Sequence, residues 1–402
     1  MSLDNQKMLA CKEYTNFRRI SNILFYISFY GYLIVYVLDM TTIHYDYPEL
    51  YTLFVHISWG CVILSLINVL LFTDYNLIQK LIYIAITALL YMSYKNSNLN
   101  AFLQSWIIVL SARMTKWDKV AKYTLILNGV MIIVAFVLYQ LGITHELQFN
   151  RADEMRICLG FRHPNFLGTH IMSEALLWIA VRFKKLNMID YIIVGVMAIF
   201  IWIVPNSRTA AYIIILSMIM TMIMKLFGNQ LVKKKVFQVL CLLVYPILFL
   251  FTFMISYFYD SNSAFFLELD SVLSNRLYLA HWYLQKYLHT WTGQKIVSVG
   301  TIKSMKTGKP YCMLDSAFMR LYISLGIIAM IIAFVMLIGI VWYSLKIDNR
   351  GILIGILSFA VFAIVQPQLL YLYRNFFLIA FAYIDIQWVK YRFILSCKIL
   401  TS

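Results

Sequence analysis

Residues 236–258 read VFQVLCLLVYPILFLFTFMISYF, a run with no charged residue, and they follow Lys233, Lys234 and Lys235. A helix of that length rises about 34 Å, enough to cross the ~30 Å hydrocarbon core of a bilayer. The lysines mark the end at which it meets the cytoplasmic face. Comparable apolar runs stand at 20–38, 50–72, 81–94, 99–112, 120–143 and 166–183. Others follow at 189–204, 209–227, 316–345, 351–372 and 376–389. The sequence therefore predicts an all-α polytopic membrane protein, one integral domain over 1–402 with about twelve transmembrane helices. The third, fourth and last runs are short and are expected to be tilted or partly re-entrant.

Composition points the same way. Of 402 residues, 62% are hydrophobic and 13% charged, with a mean hydropathy of +0.76. A soluble domain carries roughly a quarter charged residues to cover its surface, so a soluble enzyme is excluded. The net charge of +16 does not indicate nucleic acid. If helices alternate, the cations fall in turns on one side, where they fix orientation and meet anionic lipid. They are Lys7, Lys12, Arg18 and Arg19; Arg113, Lys116, Lys119 and Lys122; and Arg182, Lys184 and Lys185. Lys225 with the lysine triplet, Lys346 with Arg350, and Lys390, Arg392 and Lys398 complete the set. Both termini are then cytoplasmic, and the surrounding partner is the lipid bilayer. The polar, basic start lacks a cleavable signal and should stay as an anchor. The six cysteines form no CxxC pair and no carboxylates cluster, so neither metal nor cofactor is expected.

Two segments on the opposite, extracytoplasmic side stand out, 144–165 and the long loop 259–315. Amphipathic stretches such as 274–287 should lie as helices along the membrane surface. Polar residues gather on this side. Residues 160–168 read GFRHPNFLG, where Pro164 suits a first helical turn and the free amides favour an anion beside Arg162 and His163. A helix cap with interfacial residues fits that stretch equally well. Arg208, in Asn206-Ser207-Arg208, runs against the charge bias; its planar fork suits phosphate, with snorkelling to head groups as the alternative. The loop carries Ser274-Asn275-Arg276 and His281, and the chain returns at Leu314-Asp315-Ser316. Arg320 follows one turn inside the membrane and needs a partner, with Asp315 or Glu174 as candidates. Glu174 lies about two turns below Asn165 and reads as a structural partner. Together these residues describe a site for an anionic, phosphorylated substrate.

Taken in order, GFRHPNFLG at 160–168, NSRTA at 206–210, the NRxxxA pattern at 275–280 and LDSAFMRLYISLG at 314–326 resemble the Wzy-type polysaccharide polymerases, relatives of the O-antigen ligases. The resemblance covers 156–326, and the HPN after a glycine-aromatic pair is similar to capsule and exopolysaccharide polymerases of Gram-positive bacteria. Ser316 stands where that family often has Asn, and Phe318 where it often has Tyr. The resemblance implies a GT-C-like fold and a metal-independent glycosyltransferase in the bacterial plasma membrane. It also implies an undecaprenyl-pyrophosphate-linked glycan as substrate, and flippase and chain-length regulator proteins as partners. Arg208 and Arg276 would hold the pyrophosphate with help from Arg162, while Asn165, Asn275 and His281 would contact the substrate. His163 or Asp315 would take the acceptor's proton, with His163 favoured because an imidazole titrates near neutrality. These groups are expected to converge on one outward-facing cavity open to the lipid. A glycan ligase with the same donor is one competing reading. A lipid-linked glycan flippase is another, although it would expect charges near the midplane and short outer loops.

Overall fold

The computed structural model describes residues 3–151 and 154–384. Residues 385–389 of the last apolar run, Lys390, Arg392, Lys398 and the C-terminus lie outside the described residues. The architecture is that of a helical membrane protein. Among the described residues, eight helices are long and apolar enough to cross a membrane. They are α1 (Leu3–Asp39, apolar from Tyr14), α2 (Pro48–Phe72), α3 (Leu77–Ser97), α5 (Trp117–Gln140), α6 (Pro164–Lys185), α8 (Arg208–Leu226), α9 (Lys235–Tyr257) and α13 (Ile327–Lys346). Three shorter apolar helices, α4 (Ala101–Met114), α7 (Met188–Ile203) and α14 (Arg350–Phe362), pack among them.

About twelve transmembrane helices were expected, three of them tilted or partly re-entrant, and among the described residues length and composition support eight. Two of the differences matter here. The run at 316–345 is not one helix: a short helix Ala317–Arg320 and a π-helical turn Leu321–Leu325 stop at Gly326 before α13 begins. The run at 351–372 ends as helix at Phe362. The chain then runs through largely buried turns, with one short 3-10 helix at Gln368–Leu370, into a second 3-10 helix, Phe376–Tyr383. Backbone polar groups cannot be left bare at membrane depth, so such a stretch must be satisfied inside the protein. Leu372 N–H donates to Ser105 Oγ (3.0 Å), Asn375 Nδ2 to Leu369 O (2.8 Å), and Ala317 N–H to Ala363 O (2.9 Å).

Helix starts follow their caps. Asn76 with Gln79, and Asn187 with Asp190, form reciprocal capping boxes at the starts of α3 and α7. α6 is the central helix, with 72% of its apolar window buried against 44% or less in any other crossing helix. Turns that the charge bias places on one side meet in pairs. Arg18 Nε donates to Met114 O (3.1 Å), Lys225 Nζ to Lys184 O (3.4 Å) and Arg350 Nη1 to Met224 O (3.2 Å). At the opposite end the long loop holds α10 (Ala264–Val272), α11 (Arg276–Lys286) and α12 (Thr301–Thr307). Beside them a hairpin pairs β1 (Phe149–Arg151) with β2 (Glu154–Arg156), an addition to the all-α expectation. Cys158 and Cys312, both at this end, are free thiols with separate partners, Leu147 O and Tyr283 Oη.

Candidate functional site

A cavity of about 690 Å³ opens at the loop end of the bundle. Its walls come from the end of α1, the start of α6, the start of α11, α12, the Tyr311–Arg320 stretch and the irregular segment 366–374. Arg156, Arg162, Arg276, Lys303, Arg320 and Arg374 line it against two carboxylates, Asp39 and Asp315. Six cations facing two anions leave a cavity that attracts negative charge.

The GFRHPNFLG stretch builds one wall, and each residue has a local reason. Gly160 takes φ +79, and a Cβ there would lie 2.3 Å from Thr144 Oγ1. Arg162 Nη2 donates to Asp39 Oδ2 (3.2 Å), and its guanidinium lies 5.2 Å from the centre of the Phe166 ring. His163 caps α6: its Nδ1 accepts the Asn165 N–H (3.0 Å), and Pro164 occupies the first turn. Asn165 Oδ1 accepts from Arg156 Nη2 (2.7 Å). At Gly168 an added Cβ would meet Ser207 Cβ at 2.3 Å, so this glycine lets α6 and the start of α8 touch.

The opposite wall comes from the two later motifs. Asn275 has φ +62, a left-handed conformation that Asn tolerates, and it turns the chain into α11. Asp270 Oδ1 accepts from Leu277 N–H (2.8 Å) and Tyr278 N–H (3.1 Å), satisfying the free amides at that helix start. Ala280 is buried with Tyr283, Leu314, Met319 and Ile323. Arg276 thereby faces Asp315: Nε donates to Oδ2 at 3.3 Å, and Tyr311 Oη donates to the same oxygen at 2.8 Å. Burial and the adjacent carboxylate push the Tyr311 phenol above its ordinary range, so it remains a donor. Ser316 caps the following turn by accepting Met319 N–H (3.4 Å), the part Asn would play. Phe318 is fully buried in the core, away from the cavity lining, so a tyrosine hydroxyl has no task there.

Of the residues expected at the site, Arg162, His163, Asn165, Arg276 and Asp315 line the one cavity. Arg208, Asn275 and His281 do not. Arg208 is exposed, with Nε donating to Asn206 Oδ1 (3.1 Å) and its guanidinium 5.8 Å from the Trp202 ring centre. It is not part of the cavity lining, and its motif works as the start of α8. Asn275 is exposed, and its role is in the turn. His281 spends its ring on Ser256 O (2.9 Å) and Gln285 Nε2 (2.8 Å). Arg320 pairs with neither Asp315 nor Glu174; Nη1 donates to Tyr371 Oη (2.8 Å). Four lining cations or partners had no place in the sequence reading: Asp39, Arg156, Lys303 and above all Arg374. A signal for Arg374 exists, since Tyr373-Arg374-Asn375 interrupts two apolar runs at membrane depth, where an arginine is costly.

His163 is the second correction. Burial, and then the charges of Arg156, Arg276 and Arg162, push its imidazole down to about 3. With Nδ1 occupied as a cap acceptor and this low basicity, it is a weak general base near neutral pH. The sign of its linkage follows. The unfolded chain binds the proton at the ordinary value of 6.5, the folded one near 3, so stability is full above pH 6.5 and falls as pH drops through that window. The loss at pH 5 should be on the order of 2 kcal/mol. His163→Asn keeps a capping acceptor and removes the titration, so its melting temperature should fall less between pH 7 and pH 5 than that of the native protein. Equal acid sensitivity of the two proteins would contradict this assignment.

Comparison with protein-family models, curated proteins and solved structures returns no match for this chain.

Proposed function

We propose that the protein is a metal-independent glycosyltransferase that joins oligosaccharide repeat units carried on undecaprenyl pyrophosphate into a surface polysaccharide. The observation that supports this reading most is the cavity with six cations against two carboxylates at the end bearing the long loop. A pyrophosphate leaving group needs several cations at once, and electrostatic stabilisation of the departing charge is the largest contribution available to such a site. In the reaction, the acceptor hydroxyl oxygen forms a bond to the donor's anomeric carbon, the bond from that carbon to the pyrophosphate oxygen breaks, and lipid pyrophosphate departs. The hydroxyl proton goes to Asp315, whose Oδ1 accepts no hydrogen bond among the described residues while Oδ2 holds Arg276 and Tyr311. A plasma-membrane location with both termini cytoplasmic, about twelve transmembrane helices and a GT-C-like architecture go with this reading, as do flippase and chain-length regulator partners.

Lipid-linked glycan from a strain lacking the gene tests it. Single repeat units should accumulate on the lipid, and the native gene should restore the polymer. Long lipid-linked polymer that is never transferred to its acceptor would point to a ligase instead. Normal polymer and no accumulation would end the proposal.

A further inference from the structure

The arginines of the cavity differ in how their charges are matched. Arg162 and Arg276, at the rim, each hold an aspartate, at 3.2 Å and 3.3 Å. Arg320 and Arg374 are 8% and 2% exposed, and neither forms an ion pair among the described residues. Among the described residues, Arg320 Nε and Arg374 Nη1 have no hydrogen-bond partner, and Arg374 Nη2 donates to Met40 Sδ. The Arg374 guanidinium also lies 6.0 Å from the centre of the Phe166 ring, the same ring that Arg162 approaches at 5.2 Å. A buried guanidinium without a counter-charge destabilises the fold, and two guanidinium groups gathered at one ring repel each other. An anion in the cavity offsets both effects.

Both floor arginines line the cavity, and the backbone of Leu372, two residues before Arg374, is held by Ser105 one turn inside α4.

We infer that Arg320 and Arg374 form a phosphate-type anion site in the least exposed part of the cavity, its floor, separate from the ion-paired Arg162 and Arg276. This rests on the reading of a phosphorylated substrate above and changes which residues grip it. The ligand class is a pyrophosphate, either free or carried on a polyprenyl chain. The apolar surroundings of the helical bundle favour the lipid-carried form, whose chain stays in the bilayer while its head group enters the cavity.

The full chain in nanodiscs, titrated with inorganic pyrophosphate and then with undecaprenyl pyrophosphate in competition, tests this. Both should bind, the lipid form about tenfold more tightly or better. Arg320→Gln and Arg374→Gln should each weaken binding by about tenfold or more, because each removes a charged donor pair. Arg208→Gln, outside the cavity, should bind as the native protein does. Because Arg374 is deeply buried, Arg374→Ala is included with added guanidinium ion, which should restore binding where sodium does not. Native-like binding in both floor variants, with loss in Arg276→Gln, would overturn the floor site and leave the polymerase reading standing. Absence of binding of both probes by the native protein would overturn the inference outright, with the glycan analysis still deciding the polymerase reading. Binding of the free anion alone would support the floor site and reject the lipid-carried ligand.

Discussion

Replacing Asp315 by Asn is expected to lower polymer formation by about 10²–10⁴-fold, the range for loss of a positioned general base, while the protein still accumulates in the membrane. The geometry gives the reason. Oδ2 accepts from Arg276 Nε (3.3 Å) and Tyr311 Oη (2.8 Å), so an asparagine must place its carbonyl oxygen there to keep both donors satisfied. Its amide nitrogen then replaces Oδ1 and can only donate, where the reaction needs an acceptor. The substitution leaves volume and packing almost unchanged, which separates a chemical effect from a folding one. Asp315→Glu keeps the carboxylate but moves it by one methylene, and an intermediate loss is expected. Measured on lipid-linked repeat units with the purified variants, Asp315→Asn activity within threefold of native would remove Asp315 from proton transfer.

Much of the fold was legible because a bilayer asks for long apolar helices and the chain supplies them. The failures fall where helices break. Nothing in hydropathy tells a complete crossing from α14 followed by a return, since Gln366, Pro367 and Gln368 read as a brief polar interruption. Yet that interruption forms the cavity floor and brings in Arg374. The site was legible in part for a related reason. Arg162, His163, Asn165, Arg276 and Asp315 lie in stretches where polar residues abut an apolar boundary, and the tertiary fold does bring those stretches together. Arg208 lies in such a stretch too, but its helix start turns it outward onto Trp202. Sequence spacing places an arginine at a membrane boundary; it does not say which face of the helix end it occupies. His163 was read through the ordinary basicity of an imidazole, and burial among three arginines is invisible until the fold is known.

The glycine that ends the LDSAFMRLYISLG stretch carries the last expected effect. Gly326 has φ 91 and ψ 164, a region open in practice only to glycine. A Cβ there would lie 2.3 Å from Gly293 N and 2.8 Å from Trp291 O. Around this contact the long loop is clasped to the turn that carries Arg320. Ile327 N–H donates to Thr290 O (2.9 Å), Ile328 N–H to Trp291 O (3.1 Å) and Gln294 N–H to Ser324 O (2.8 Å). Gly326→Ala adds backbone strain and a clash with backbone that cannot yield, together about 4 kcal/mol. Gly308 is the matched control, with φ +66 but nothing within 4 Å of an added Cβ. Gly308→Ala should cost only about 1 kcal/mol, the strain of a left-handed alanine. Thermal melting of both variants in detergent measures the difference, and protease exposure of the 259–315 loop should rise in Gly326→Ala alone. Equal stability of the two variants would mean that the clasp does not hold the loop over the cavity. The floor and rim arginines would then have to be brought together by the helices alone.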